Sequence, residues 1–543
     1  MSSSNNSAAF QHSSSYELES RASSSLQDTL LPVLQAQEVW DGHSDLRHHL
    51  PPEIQSYLAP YEKVIYIHHP GTPKPEQPLL ARDVMDMALS GDGSIMASVD
   101  PLGGKSRYQY EHGRDAMKAA SDIYGLQPER LKQVLLSLAS SQGVEHEVYR
   151  EGRLYGFEEP GSIILINRPA EDLMARKFEK LKGWPAPYFY GSVDAPVSFV
   201  NNIAQVHADE PSFLWRGYTD KNGIPRLMAD AFKLSVRWIV DRIDESPDGF
   251  VEYSNPVTNG GGMRNQGWQD SAHAMVHADG SWANSKDGIA VLEVQAMAFD
   301  ALMNAARLYE TVFDDGKAAA ELWERAYTLQ ADTIDKFWVE SPEGGYLAPG
   351  RDRDANGLSR NMEVRKSSMG WVLATGLLKG DNPDHKARVR QLIKTLTAPD
   401  MLTRHGIRTL SSRSAAYTPF GYHTGSEWGQ DLEVIAQGMS NHGYYGLDRM
   451  LGERSTRKHL STGVFYEHTS SYDSVGVHVP ERDTYVYNPL YDEVYMLEQV
   501  PPVAQTWEAS AELGRAHRYS QIPQKAITAT KRAFEKSILE SVL

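Results

Sequence analysis

The apolar residues of this chain recur with a helical period, and this pattern restricts the fold more than any other feature. A spacing of i, i+3, i+4, i+7 places apolar side chains on one face of a helix. It predicts clear helices at 127–142, 223–245, 288–310, 316–338, 384–396, 426–440 and 522–541, and weaker ones at 112–124, 193–208, 364–378, 443–453 and 502–515. Strand signals are sparse, and the best are "KVIYIHH" at 63–69 and "GSIILIN" at 161–167. The chain is therefore predicted to be all-α.

The predicted helices come in pairs joined by alternately short and long loops, which indicates an (α/α)6 toroid of helical hairpins. In a toroid the long loops at one end form a single funnel, so loops far apart in the sequence converge. An α-solenoid is the alternative architecture. It requires a visible repeat of about 34–47 residues, and the sequence contains none.

Composition along the chain predicts its domain organisation. Residues 1–28 are Ser-rich and lack both the basic and the apolar region of a signal peptide, so we expect a disordered tail. Residues 29–80 are predicted to form a short, irregular, β-containing extension, and residues 81–543 the catalytic toroid. Because no run of eighteen apolar residues occurs, we expect no membrane span and a cytoplasmic location.

Charge and cysteine content restrict the function. A net charge of −17 argues against nucleic acid or an anionic membrane as the main partner and favours a neutral or cationic ligand. The absence of cysteine excludes disulfides, thiolate catalysis and Cys-based zinc sites. The sequence carries no signal for a particular oligomeric state.

Aromatic residues are concentrated in Gly/Pro-rich segments between the predicted helices. Examples are "GWPAPYFYGSVD", "NQGWQDS", "PFGYHTGSEWG" and "DTYVYNPLYDEVY". Such loops often line sugar pockets, because the C–H faces of sugars pack on aromatic rings. The ordinary alternative for any single ring is anchoring of a long loop to the core. Recurrence in several separate loops favours an oligosaccharide or a small glycoside as the ligand.

Two short motifs place charged residues at predicted helix starts. In "HGRDAM", Arg114 and Asp115 could bind the vicinal hydroxyls of a sugar as donor and acceptor. In "YFYGSVDAPVSFV", Asp194 follows Tyr190 at the transition from an aromatic loop to a helix. Helix capping and the helix dipole are the structural alternatives for both aspartates.

The stretch "NQGWQDSAHAMVHADG" at 265–280 contains the strongest candidate for catalysis. Asp270 lies two residues after Trp268, and an adjacent Trp can desolvate a carboxyl and raise its pKa. A general acid that protonates a glycosidic oxygen near neutral pH needs this property. A metal site on His273, His277 and Asp279 is a weaker alternative, because no His-Glu-x-x-His motif is present.

Two later segments add further candidates. "YHTGSEWGQDLEVIAQGM" gathers Tyr422, His423, Trp428 and Asp431 at a predicted helix start, and "GVFYEHTSSYD" places Glu467 in an aromatic loop. Glycoside hydrolysis requires two carboxyl groups across one sugar ring.

Asp270 and Glu467 are the predicted pair, because they lie in different aromatic loops that the toroid could place on opposite walls of the funnel. Glu293, Glu427 and Asp473 remain competitors for the second role.

Several of these segments, in this order, closely resemble the catalytic domain of bacterial amylo-α-1,6-glucosidase, or glycogen-debranching-like, proteins. The resemblance covers roughly residues 80–516. It is carried by "YFYGSVDAPVSFV", "DGFVEYSNP", "NQGWQDSAHAMVHADG", "GIAVLEVQAMAFDALMNAA" and "YHTGSEWGQDLEVIAQGM".

The resemblance implies an (α/α)6 toroid and an inverting, exo-acting α-glucosidase without a cofactor. It implies Asp270 as the general acid and Glu467 as the general base. The implied sugar contacts of the first subsite are Arg114, Asp115, Tyr190, Asp194, Trp268, His423 and Trp428.

Three departures from the family pattern keep alternatives open. We expect the N-terminal β-rich domain seen in the family to be absent or reduced, because only about 80 residues precede the predicted toroid, and "VRKSSMGWVLATGLL" at 364–378 lacks the expected Asn and His. Both departures point to a small α-glucoside as an alternative to polymeric glycogen. "YEHTSSYD" replaces a Pro-Glu-Leu-Phe-like segment around Glu467. A lyase or epimerase on the same toroid, or a non-catalytic glycan-binding protein, are the other functions considered.

Overall fold

The helices form two layers, and the inner layer closes on itself. A computed structural model describes residues 79–90, 93–99, 108–146, 158–167, 188–255, 263–419, 421–469, 471, 485–488, 493–496 and 504–521. The predicted tail at 1–28, nearly all of the extension at 29–80, the strand at 63–69, the helix at 522–541 and Asp473 lie outside these residues.

The described parts of the chain contain eleven α-helices and two 3-10 helices. The α-helices are α1 (Ala81–Met87), α2 (Gly113–Asp122), α3 (Pro128–Ser140), α4 (Ala195–Asp209), α5 (Met228–Glu245), α6 (Leu292–Thr311), α7 (Gly316–Lys336), α8 (Pro383–Leu396), α9 (Gly429–Asn441), α10 (Tyr445–Thr462) and α11 (Thr506–Gln521). The 3-10 helices are Pro211–Trp215 and Ser367–Ala374.

Six elements make up the inner ring. In order, α2, α4, α6, the 3-10 helix Ser367–Ala374, α9 and α11 each contact the next, and α11 returns to contact α2. An outer helix packs on each of them: α3 on α2, α5 on α4, α7 on α6, α8 on the 3-10 helix, α10 on α9, and α1 on α11. This is the (α/α)6 arrangement that the sequence predicts.

Burial distinguishes the two layers. Inner helix α9 has eleven of its thirteen residues buried. Outer helix α7 buries a single stripe with the spacing of one helix face, formed by Ala319, Leu322, Ala326, Leu329 and Thr333. A helix that is buried on nearly all sides belongs inside, and an amphipathic helix covers it from the solvent side.

Short strands join the helices. They are β1 (Glu111–His112), β2 (Ile166–Asn167), β3 (Tyr188–Phe189), β4 (Gly217–Thr219), β5 (Pro225–Leu227), β6 (Glu252–Tyr253), β7 (Ile289–Val291), β8 (Trp338–Val339), β9 (Tyr346–Leu347), β10 (Gly350–Arg353), β11 (Ser359–Asn361), β12 (Tyr485–Asn488) and β13 (Glu493–Met496). They form antiparallel sheets ordered β1-β2-β3 and β11-β10-β7-β6, and the hairpins β4-β5, β8-β9 and β12-β13.

The sheets correct three predictions. The helix predicted at 288–310 begins as strand β7, and the helix predicted at 223–245 begins as strand β5, because hydrogen bonds to β10 and β4 fix these residues as extended backbone. The strand predicted at 161–167 is reduced to β2, which lies between β1 and β3. Strand β1 leads directly into α2, and strand β7 directly into α6, so the sheets fix where these inner helices begin.

The helix predicted at 364–378 is a shorter 3-10 helix that packs very closely on α9. A Cβ atom added to Gly370 would lie 2.6 Å from Ile435 Cγ1, and one added to Gly438 would lie 2.7 Å from Leu373 Cβ. The two glycines therefore permit the contact that continues the inner ring. Within the described part of the chain, no helix is long and apolar enough to cross a bilayer.

Candidate active site

The inner elements bring residues that are distant in the sequence together at one end of the ring. Arg114 lies in the first turn of α2, and its Nη1 is 3.7 Å from Oδ2 of Asp194, which immediately precedes α4. The Arg114 guanidinium also lies 5.8 Å from the ring centroid of Trp507, in the first turn of α11. Trp507 in turn packs against Trp428, which precedes α9. The N-terminal ends of these inner helices therefore form one common site.

Arg114 is surrounded by three carboxylates. Its Nε donates to Asp115 Oδ1 at 3.2 Å, and its Nη2 donates to Asp270 Oδ2 at 3.3 Å, in addition to the Asp194 contact. Nη1 also donates to the Gly267 carbonyl at 2.8 Å, which ties the Asp270 loop to α2. A single guanidinium thus balances three acids, and the cluster has an excess of negative charge.

Burial, together with the neighbouring charges, changes the titration of two of these carboxyls, Asp270 and Asp115. The pKa of Asp270 is raised to about 6. Burial is the largest cause, Asp115 and Asp194 add to it, and Arg114 opposes it. Burial likewise raises the pKa of Asp115 to about 6. A carboxyl with such a pKa is partly protonated near neutral pH and can act as a general acid.

Capping does not account for these aspartates. Asp194 occupies the cap position of α4 but makes no capping hydrogen bond, and its carboxylate lies against Arg114 instead. Asp115 lies inside α2, whose cap residue is His112. Asp270 is followed by a turn rather than a helix, since Ala274 N donates to the Ser271 carbonyl.

Glu467 lies in the loop after α10 and is almost fully buried. The Tyr422 hydroxyl donates to its Oε1 at 2.8 Å, and its Oε2 has no hydrogen-bond partner among the described residues. Burial raises the pKa of Glu467 well above its ordinary value, Tyr422 opposes this, and Asp115, Asp270 and Glu508 add to it. The Tyr422 ring also packs on His423, which accepts a hydrogen bond from the Ser271 amide, so contacts connect Glu467 to the loop that carries Asp270.

The competing carboxyls have other environments. Glu427 Oε1 accepts a hydrogen bond from the Thr403 hydroxyl, and its backbone pairs with Thr469. Glu293 is fully buried in the first turn of α6 with both carboxyl oxygens unpaired among the described residues, and burial raises its pKa to about 8. Asp473 is not among the described residues. Of the candidates that the structure describes, only Glu467 accepts a hydrogen bond from the Tyr422 hydroxyl.

Aromatic rings pack behind Asp270. Trp268 stacks on Trp371 with centroids 5.6 Å apart, and it meets the rings of His423 and Trp428 edge-on. The Ser271 amide donates to His423 Nδ1 at 3.2 Å. Trp268, His423 and Trp428 are buried and Trp371 is partly buried, and together these rings hold the loop that carries Asp270.

Tyr190 is placed differently from the other predicted site residues. Its hydroxyl donates to the Ser141 carbonyl at 2.8 Å, just after α3, and its ring faces Lys221. Its predicted contact with a sugar stays a prediction.

The histidines considered as metal ligands also have separate partners. His277 Nε2 lies 2.9 Å from Asp352 Oδ2, and the His273 ring packs on Trp282.

Two residues that shape the site are not candidates in the sequence, although both lie in the segment "VRKSSMGWVLATGLL". Lys366 is fully buried, and its Nζ donates to the carbonyls of Ala274 and His423 at 2.7 and 2.8 Å, which holds two site loops together. Trp371 stacks on Trp268 and donates to Asp431 Oδ1 at 2.6 Å. Tyr422 is predicted only as a member of an aromatic cluster, without its contact to Glu467.

Comparisons with known proteins give a fold but no family. No family model matches the sequence, and no curated protein matches it. Among solved structures, the chain is similar to the GH63 mannosylglycerate hydrolase from Thermus thermophilus in complex with Tris, with 14% identity and a TM-score of 0.54, over 81% of this chain and 99% of that one. The complex of that hydrolase with Tris and D-glycerate has the same identity and TM-score, and covers 98% of that chain. Its glucose complex has 15% identity and a TM-score of 0.52. At this identity the likeness shows a shared fold.

Proposed function

We propose that the chain is an inverting, exo-acting glycoside hydrolase that releases a terminal α-linked glucose. The observation that carries this proposal is a chain of contacts between two carboxyl groups: Asp270 contacts Arg114, Glu467 accepts from Tyr422, and His423 connects Tyr422 to the Asp270 loop. The shared fold with a glycoside hydrolase supports it. The resemblance to amylo-α-1,6-glucosidases suggests an α-1,6-linked glucose, and the departures from that family suggest a small α-glucoside.

In the proposed reaction Asp270 protonates the glycosidic oxygen while the bond to the anomeric carbon breaks. Glu467 accepts a proton from the water that attacks the opposite face of the sugar. Asp270 is suited to the first role because burial raises its pKa to about 6. Glu467 is the candidate for the second role because Oε2 has no partner among the described residues, and the Tyr422 hydroxyl opposes the rise in pKa that burial causes, so that the ionised form is less disfavoured.

Arg114, Asp115 and Asp194 are proposed to bind the hydroxyls of the terminal sugar. They offer a guanidinium beside two carboxylates, which together can pair with vicinal hydroxyl groups as donor and acceptors. Because these side chains are almost fully buried, we expect the sugar at the closed end of the site. Trp268, His423 and Trp428 pack on one another and would hold the Asp270 loop next to the sugar.

Proton NMR of the reaction tests the proposal. The purified protein is incubated with isomaltose, panose, maltose, trehalose, glucosylglycerate, mannosylglycerate and a limit dextrin, and the first anomer released is identified within minutes. We expect β-glucose from at least one α-glucoside, and no product with Asp270→Asn. Early α-glucose from a substrate whose leaving group is not glucose, such as panose or glucosylglycerate, would contradict inversion. An unsaturated or epimerised product would favour a lyase or epimerase. The absence of any product would contradict the proposed function.

A further inference from the structure

One buried lysine connects two loops of the candidate active site. Lys366 immediately precedes the 3-10 helix Ser367–Ala374, and its side chain is fully buried. Its Nζ donates to the Ala274 carbonyl at 2.7 Å and to the His423 carbonyl at 2.8 Å. An ammonium group is costly to bury unless it is hydrogen-bonded. Here both bonds go to loops of the site.

Further hydrogen bonds complete a closed ring, which we call the lysine clamp: Lys366, Ala274, Ser271 and His423. The Ala274 amide donates to the Ser271 carbonyl at 3.0 Å, and the Ser271 amide donates to His423 Nδ1 at 3.2 Å. Because Ser271 follows Asp270 directly, that amide belongs to the peptide bond between the two residues. The clamp therefore fixes the backbone on which the Asp270 carboxyl is mounted.

The clamp requires a neutral imidazole. A backbone amide can only donate, so His423 Nδ1 must accept from Ser271, and the ring proton lies on Nε2. Burial lowers the pKa of His423 well below its ordinary value, and the nearby charges of Lys366, His468 and Arg114 lower it further. Lys366 thus supports the contact in two ways, by its own hydrogen bonds and by opposing protonation of the ring.

The same inner element holds the Asp270 loop on both sides of the acid. Trp371, within the 3-10 helix, stacks on Trp268, two residues before Asp270, with centroids 5.6 Å apart. Lys366, at the start of that helix, binds Ala274, four residues after Asp270. The acid therefore lies between two points that are anchored to one helix of the ring.

We propose that Lys366 is a positioning residue for the general acid. It acts through His423 and the peptide bond that follows Asp270, and it fixes the place from which Asp270 delivers its proton to the leaving group. This proposal rests on the proposed function, in which Asp270 is the acid. Misplacement of a catalytic group by about 1 Å can lower a rate by about 100-fold, so an anchor of this kind affects the rate without touching the substrate.

Two substrates that differ in their need for an acid test this role. An alcohol leaving group must be protonated as the glycosidic bond breaks, whereas fluoride leaves α-glucosyl fluoride without a proton. Lys366→Met removes the ammonium group and keeps an unbranched side chain of similar length. We expect its kcat to fall by about 10- to 100-fold on the preferred α-glucoside of the NMR panel and by less than about 3-fold on α-glucosyl fluoride. KM should change by less than about 3-fold for both substrates, because the sugar contacts remain.

His423→Phe tests the clamp from its other side. The variant keeps an aromatic ring beside Tyr422 and Trp428 and removes the acceptor for the Ser271 amide. We expect the same selective loss on the α-glucoside, smaller than in Lys366→Met because both lysine hydrogen bonds remain. Circular dichroism establishes that each variant is folded. If Lys366→Met does not fold, His423→Phe decides the question.

Lys132→Met is the matched control. Lys132 is a buried lysine on outer helix α3, and its Nζ pairs with Glu129 and Glu210 rather than with a site loop. Its substitution should leave the ratio of the two kcat values unchanged.

A double variant tests whether Lys366 acts through Asp270. If it does, adding Lys366→Met to Asp270→Asn should lower the remaining kcat on the α-glucoside by less than about 3-fold, since the acid that it positions is already lost. A full additional loss of about 10-fold or more would contradict the proposed route.

The outcomes distinguish this proposal from the proposed function. An equal loss on the α-glucoside and the fluoride, or no loss in Lys366→Met and His423→Phe, would overturn the clamp and leave the hydrolase intact. Undiminished hydrolysis of the α-glucoside by Asp270→Asn would contradict the proposed function itself. If no glycoside in the panel is hydrolysed, both proposals fail.

Discussion

Two buried charge clusters in this protein use similar residues but differ in charge balance. In the site cluster, Arg114 alone faces Asp115, Asp194 and Asp270. In the network between α9, α10 and α11, two arginines share the acids. Arg515 Nη1 lies 3.1 Å from Glu433 Oε2 and also pairs with Glu512, and Arg518 Nη2 lies 2.7 Å from Asp448 Oδ1.

The clearest difference in pKa is between Asp270 and Glu512, although burial also raises the pKa of Asp448 in the network. Burial would raise the pKa of Glu512, but Arg515 and His459 outweigh it and lower the pKa to about 2. Burial raises the pKa of Asp270 to about 6 although Arg114 is adjacent. Balanced ion pairs are typical of structural networks, and an excess of acid is typical of catalytic sites. Substitution should therefore reduce activity in the first cluster and stability in the second.

The largest expected effect is the loss of catalysis in Asp270→Asn. The amide cannot protonate a leaving group, so kcat should fall by about 10²- to 10⁴-fold. The melting temperature at pH 7 should not decrease, because the substitution removes one carboxyl from a cluster with excess acid. Steady-state kinetics on the best substrate from the NMR panel and thermal unfolding followed by circular dichroism measure both quantities.

Asp279→Asn is the matched control for this experiment. Asp279 is exposed in the same loop, and its carboxylate accepts hydrogen bonds from Ser281. Its substitution should leave kcat within about 2-fold, as for other exposed side chains. A similar loss of activity in both variants would show that disturbance of the loop, rather than loss of the acid, is responsible.

Arg515→Met should be strongly destabilising while the folded enzyme keeps its kcat. The variant leaves Glu433 and Glu512 with one cation fewer, and removal of one member of a buried ion pair costs about 3–5 kcal/mol. Urea unfolding followed by tryptophan fluorescence measures the free energy of unfolding. Arg237→Met, which breaks an exposed pair on α5, should cost less than about 1 kcal/mol. Equal losses in the two variants would contradict the structural role of the network.

The periodicity of apolar residues predicts the layers of the fold better than the ends of its elements. Outer helix α7 is predicted at 316–338 and runs from Gly316 to Lys336, because its buried stripe has the helical period. Strand β7 is predicted as part of a helix, since its extended conformation depends on hydrogen bonds to β10, about sixty residues later. The 3-10 helix around Gly370 depends on a close contact with α9 in the same way.

The residue types of the site are predictable from the sequence, but their arrangement is not. Asp270 and Arg114 are both candidates, yet their contact joins residues 156 positions apart. Lys366 is not a candidate. Its Nζ binds two backbone carbonyl groups, and no short sequence motif indicates such a contact. Residues that carry out chemistry have a recognisable local context, whereas residues that position them are defined by the tertiary structure.

Tyr422→Phe should have the smallest of these effects. It tests whether the Tyr422 hydroxyl stabilises the ionised form of Glu467, which has no cationic partner among the described residues. The Tyr422 hydroxyl donates to Glu467 and opposes the rise in its pKa, so the variant should raise that pKa further. A general base acts only when it is ionised, and a higher pKa moves the acidic limb of the kcat/KM profile to higher pH. The alkaline limb, which is assigned to Asp270, should move less. Tyr417→Phe, whose hydroxyl contacts Ser471 instead, should leave both limbs in place. An unshifted acidic limb in Tyr422→Phe would mean that Glu467 is not the group whose ionisation limits the reaction.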